Sequence, residues 1–155
     1  MTKDDLIRGL NEDLAAELGT IIRYTYQASR SFGLGGLELR AVFLRERLDE
    51  LGHAAFLMDV IVDLGGEPTT APKPFAKPSG LGEMLELDLR TENEDVANYT
   101  RRARQAEELG LLELKVRLEE MAADEAGHAR ELRRILKGLG HFGREEREAE
   151  LIGAE

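Results

Sequence analysis

Two short stretches carry the residues of this sequence best suited to chemistry. 49-DELGHA-54 and 124-DEAGHA-129 each set a glutamate and a histidine three residues apart, at Glu50/His53 and Glu125/His128. Side chains three apart on a helix share a face, so each pair can offer one carboxylate and one imidazole to a single metal ion. A further glutamate precedes each pair at the same interval, Glu17 before Glu50 (50 − 17 = 33) and Glu92 before Glu125 (125 − 92 = 33). All four glutamates fall where the apolar stripes of their helices call for a hydrophobic residue. Burying unpaired carboxylates costs several kcal/mol each, and the facing stripes carry no Lys or Arg to offset it. Two divalent cations would, supplying +4 against −4. A donor set rich in oxygen and free of sulfur suits iron or manganese, with redox-inert zinc able to take the same ligands in a crystal.

These residues need helices that point them inward. The chain repeats itself at an offset of 75 residues: between positions 10–65 and 85–140, 20 of 56 are identical without a gap. Leu10, Asp13, Leu14 and Glu17 meet Leu85, Asp88, Leu89 and Glu92, and Tyr24 meets Tyr99. The register survives a helix break, where 34-LGGLEL-39 meets 109-LGLLEL-114. This is a duplicated helical hairpin, with copies at about 4–65 and 81–140. Within the first copy, a Gly-rich break at 33-GLGG-36 separates the two helices; in the second, the last helix reaches about Leu139 and stops at Gly140, leaving His141 in a Gly-rich turn. All four prolines lie in 66-GEPTTAPKPFAKPSG-80, which reads as an extended crossover. Helices of roughly 28 residues would be ~42 Å long. A 15-residue extended segment reaches ~50 Å, enough to traverse them. The expected fold is all-α: a single-domain four-helix bundle over residues 1–155, with an acidic tail at 141–155.

Composition narrows the function classes. With no Cys, thiolate zinc sites, iron–sulfur clusters and disulfides are excluded. A net charge of −10 argues against a nucleic-acid partner. No apolar run is long enough to span a bilayer and the first residues lack a signal-peptide core, so no membrane role and a cytoplasmic location are expected.

Glu17, 50-ELGH-53, Glu92 and 125-EAGH-128 together resemble the ferritin-like superfamily, bacterioferritins most closely, and the resemblance extends from 10-LNEDLAAELGTIIRY-24 through 63-DLGGEP-68 to the second Glu-x-x-His. It implies a ferritin-like bundle with two iron ions. Glu17 and Glu92 would be terminal carboxylates, Glu50 and Glu125 bridging ones, and His53 and His128 one nitrogen ligand per metal. Tyr24 and Tyr99 either pack in the core or support a ligand. Asp49 and Asp124 either orient a histidine across the site or are solvated charges. Asp95, whose repeat counterpart is Thr20, stands where rubrerythrins place an extra carboxylate. Bacterioferritins ligate haem with a Met directly after the first Glu of the motif on the second helix; here that residue is Leu51, so haem is not expected. The tail is brief and highly charged for the short fifth helix of cage-forming relatives.

The function that follows is a ferroxidase, taking Fe2+ and either O2 or H2O2, with storage if copies assemble into a homo-oligomeric shell, from a dimer up to a larger cage. A rubrerythrin-like peroxidase or small oxidase is the alternative on the same site, although zero Cys removes a rubredoxin relay. A bundle that only buffers metal is the non-catalytic one.

Overall fold

The computed structural model describes the backbone of residues 1–152 and the side chains of residues 1–140. Four helices, α1 (Lys3–Ser29), α2 (Gly33–Asp63), α3 (Leu81–Glu108) and α4 (Leu112–Ile152), form two antiparallel hairpins, α1–α2 and α3–α4. Thr2 starts α1 with a reciprocal cap: its hydroxyl accepts from the Asp5 N–H, and Asp5 accepts from the Thr2 N–H at 2.9 Å. Both hairpin turns are tight. Gly33 and Gly110 sit there with φ of 74° and 72°, a region that only glycine enters freely.

Two boundaries differ from the sequence reading. The Gly-rich stretch 33–36 is the first turn of α2 rather than a loop, and Gly36 is buried against Ser31. Helix α4 does not end at Leu139 but runs through Gly138 and Gly140 to Ile152, so His141 lies within it and the tail prolongs α4 instead of starting a fifth helix. Isolated glycines weaken a helix by only about 1 kcal/mol each, which the surrounding helix-favouring residues offset. Residues 153–155 lie outside the described residues. Leu139, the expected helix end, is 40% exposed.

Residues 64–80 carry the chain from the end of α2 to the start of α3 without helix. They climb along α1. Asn11 accepts from the Thr69 N–H (2.7 Å) and donates to the Glu67 carbonyl (3.1 Å), the Lys73 N–H donates to the Ala15 carbonyl (2.7 Å), and Phe75 meets Tyr26. Gly19 permits this approach, since a Cβ there would stand 2.4 Å from the Lys73 carbonyl oxygen. The crossover returns the chain to the far end, so α3 runs antiparallel to α1 and the two hairpins face each other.

Two apolar clusters fill the bundle ends. One gathers Leu6, Leu10, Leu14, Leu57, Ile61, Leu118 and Met121; the other gathers Tyr24, Phe43, Leu85 and Leu132. Burial of such side chains, about 1.5–3 kcal/mol each, holds the helices together around a polar middle.

Candidate metal centre

The middle layer is built from charged side chains at 1–3% exposure on all four helices: Glu17 from α1, Glu50 and His53 from α2, Glu92 from α3 and Glu125 from α4. His128, also on α4, is only slightly more open. The His53 Nδ1 lies 2.8 Å from Glu125 Oε1, 3.2 Å from Glu50 Oε2 and 3.7 Å from Glu17 Oε1. Related by the repeat, the His128 Nδ1 lies 3.0 Å from Glu125 Oε2, 3.6 Å from Glu50 Oε1 and 3.7 Å from Glu92 Oε2. Two overlapping donor sets result from these six residues, Glu17–Glu50–His53–Glu125 and Glu50–Glu92–Glu125–His128, each with its donor atoms within 4.8 Å of one another, and His128 also belongs to a third, smaller group with Glu46 and Asp49. Glu50 and Glu125 contribute one oxygen to each set, the placement that bridging carboxylates require.

One ring nitrogen cannot hydrogen-bond three carboxylates at once, and neither Glu92 Oε2 nor Glu125 Oε1, despite the His53 Nδ1 nearby, has an aligned hydrogen-bond partner. Buried acceptors left open in this way are costly unless a cation takes their lone pairs. Donor atoms held ~2.1 Å from one ion stand roughly 3 Å apart, close to the spacings found here. The donor chemistry therefore fits two metal ions.

The electrostatics describe the same crowding. Burial and then the Glu50 charge push the Glu17 carboxyl well up, and burial raises Glu125 to about 7. Burial also raises Glu92, but the His128 ring and the Glu125 carboxyl beside it, with the Tyr24 hydroxyl, outweigh it and hold that carboxyl low. Burial pulls both histidines down, yet the carboxylates around them win, and both rings hold a proton far above the usual imidazole range. In the metal-free protein, protons on the histidines stand where metal charge would.

A ring of supporting contacts surrounds this layer. The Tyr24 hydroxyl donates to Glu92 Oε1 and the Tyr99 hydroxyl to Glu17 Oε1, each reaching from one hairpin to the other. On the opposite face, the His53 Nε2 meets Asp124 at 3.4 Å and the His128 Nε2 meets Asp49 at 3.3 Å. Both aspartates are about half exposed and line a depression of about 540 Å3 between α2 and α4 that also reaches Gly52, His53, Gly127 and His128. Asp95 is buried, but its oxygens join neither donor set; burial and then the charges of Glu17, Glu92 and Glu125 raise its carboxyl to about 9.

Residues 7–141 match the ferritin-like domain family. The chain belongs to it. Among curated proteins, a bacterioferritin of Brucella melitensis is 30% identical over 150 residues, spanning 96% of this chain and 92% of that one. A ferritin-like, diiron-carboxylate protein of Bacillus anthracis is 42% identical with a TM-score of 0.85, covering 88% of this chain and 99% of that one. BfrA of Mycobacterium tuberculosis is 29% identical, also at 0.85, covering 94% and 91%.

Some residues of this ferritin-like site escaped the sequence reading. Buried arginines do exist: Arg23 pairs with Asp88 at 2.8 Å, and Arg102 with Asp13 at 2.8 Å. They do not neutralise the central glutamates because these aspartates already claim them. Asp13 and Asp88 are repeat partners, as are Gln27 and Arg102, and Gln27 donates to Asp88 at 2.9 Å. Gly9 makes room for Arg102, whose guanidinium would otherwise be 2.1 Å from a Cβ. Glu46 is the other omission. It is 2% exposed, one turn before Glu50, with Oε2 2.9 Å from the His128 Nε2. Its repeat position holds Met121, and that mismatch was visible in the aligned halves.

Proposed function

We propose that this chain oxidises Fe2+ at a dinuclear site, with Glu17 and His53 holding one ferrous ion, Glu92 and His128 the other, and Glu50 and Glu125 shared by both. The observation that carries the reading is the pair of overlapping donor sets with two shared carboxylates and two buried oxygens lacking aligned hydrogen bonds. The matches to a bacterioferritin and to a diiron-carboxylate protein support it.

Two adjacent ferrous ions supply two electrons, which suits a two-electron oxidant. With dioxygen, 2 Fe2+ + O2 + 2 H+ gives 2 Fe3+ + H2O2; with peroxide, 2 Fe2+ + H2O2 + 2 H+ gives 2 Fe3+ + 2 H2O. The protein's part is to hold the ions at fixed separation and to manage charge. Each histidine gives up its Nδ1 proton as an ion enters, and the tyrosines keep the terminal glutamates turned inward. The depression between α2 and α4, with Asp49 and Asp124 on its wall, gives a cation a short approach to the rings.

Exposed Phe32, Leu34, Leu37, Leu48 and Leu51 support assembly with further copies of this chain, and storage of the ferric product depends on a closed shell. Manganese satisfies the same donors, and a cytoplasmic site of action is consistent with the absence, among the described residues, of a helix long and apolar enough to cross a membrane. The test is oxygen consumption by the metal-free protein on anaerobic loading with Fe2+ and rapid mixing with O2 or H2O2. One O2 consumed per two Fe2+ supports the ferroxidase, a marked preference for H2O2 moves the assignment to a peroxidase, and binding without oxidation leaves a metal buffer.

A further inference from the structure

We propose that Glu46 makes the two halves of the site unequal, so that the Glu92–His128 half takes the first metal ion and the Glu17–His53 half the second. The inference rests on the dinuclear reading above and adds an order of loading set by a positioning residue.

The two halves are matched ligand for ligand by the repeat. Glu17 answers Glu92, Glu50 answers Glu125, His53 answers His128, and the outer aspartates Asp124 and Asp49 face the two Nε2 atoms at nearly the same distance, 3.4 and 3.3 Å. Glu46 breaks the match, because position 121 (46 + 75) holds a fully buried methionine. Arg45 takes Glu46 Oε1 at 2.7 Å and leaves Oε2, which has no aligned hydrogen-bond partner, 2.9 Å from the His128 Nε2. His128 therefore has a buried carboxylate and an exposed one at its outer nitrogen, whereas His53 has only the exposed Asp124, with a side chain 52% open to solvent. A carboxylate at the outer nitrogen of a metal-bound imidazole fixes the tautomer and strengthens the inner nitrogen as a donor, and loss of such a partner typically costs 10–100-fold in metal affinity. A buried partner acts in a lower dielectric than an exposed one, so Glu46 outweighs Asp124. Asp95, the other buried carboxylate unmatched by the repeat, makes no ion pair with either histidine among the described residues and does not alter this comparison.

The test uses Zn2+ added to the metal-free full-length chain, followed by long-range 1H–15N spectra of the imidazoles. With three histidines in the chain, assignment by single substitution is direct. At one equivalent, only the His128 Nδ1 is expected to shift, with His53 following at the second equivalent and the stepwise affinities separated by on the order of 10–100-fold. In Glu46→Met the two rings should shift together. Glu46→Gln, whose carbonyl can still accept from the ring, should keep the order with a narrower gap, and Glu46→Met combined with Met121→Glu should invert it. If the double variant does not fold, the two single variants decide. Parallel shifts in the native protein, or an order unchanged by Glu46→Met, overturn the proposal while leaving the dinuclear site intact. A metal shift at the His128 Nε2 also overturns it, since Glu46 would then be a ligand itself. No shift at either ring overturns both this proposal and the dinuclear reading.

Discussion

The hydroxyl of Tyr99 on α3 donates to the carboxylate of Glu17 on α1, and Tyr24 on α1 makes the same contact to Glu92 on α3. Each hairpin thus holds a glutamate of the other's candidate donor set in place. Removing one hydroxyl tests this directly. Tyr99→Phe keeps the ring in the core and should weaken metal binding in the Glu17–His53 half by roughly 10–100-fold. Tyr24→Phe should act on the other half. Stepwise metal titration by calorimetry reads the effect, and equal affinities in variant and native protein would show that the tyrosines only pack.

The flanking ion pairs should matter for folding rather than for metal. Arg102→Met leaves Asp13 buried and unpaired, and should destabilise the protein by about 3–5 kcal/mol. Arg23→Met should cost less, because Asp88 keeps its hydrogen bond from Gln27. Chemical denaturation of the two variants compares them.

Stability of the metal-free protein should fall as pH rises above about 6.5. The carboxylates around His53 and His128 raise both rings above that ordinary imidazole value, so their contribution is complete below 6.5 and is lost as pH climbs toward the folded-state values. Asp95, raised from 3.8 to about 9 by burial, acts in the same direction across that span. Metal-loaded protein, with its histidines deprotonated by coordination, should lack the histidine part of this slope. Asp95→Asn should raise the melting temperature of the metal-free form at pH 8 by ~2–4 °C for each kcal/mol recovered. Thermal melts across pH 6–9, with and without metal, check both statements.

The shared carboxylates set the sharpest prediction about ligands. Glu50→Ala/Glu125→Ala should lose both metals, since each residue belongs to both donor sets. Its helical circular dichroism should persist, because the apolar clusters at the bundle ends are untouched. Retention of two metals per chain by elemental analysis would refute the ligand set.

Much of this arrangement was legible in the sequence because duplication wrote it twice. Glu50, His53, Glu125 and His128 sit at helical spacing within matched hexapeptides, and the 33-residue interval picked out Glu17 and Glu92. Residues whose role depends on an unmatched partner were harder to read. Arg23 and Arg102 belong to no shared stripe, since their repeat positions hold Asn98 and Gln27, and only packing shows which aspartate each meets. Glu46 stands among the charges of 45-RERLDE-50, and only the turn of α2 shows that it faces inward. The end of α4 was misread for a different reason: two glycines lower helix propensity without forbidding helix, and spacing alone cannot say whether the neighbours compensate.

The site proposed for this chain takes two oxidisable ferrous ions. Aerobic Fe2+ titration of the metal-free protein, following ferric absorbance against iron added, tests it most directly. Rapid oxidation with a break at two Fe2+ per chain is expected, whether or not slower uptake follows. A break at one, or no oxidation above the protein-free rate, would contradict it.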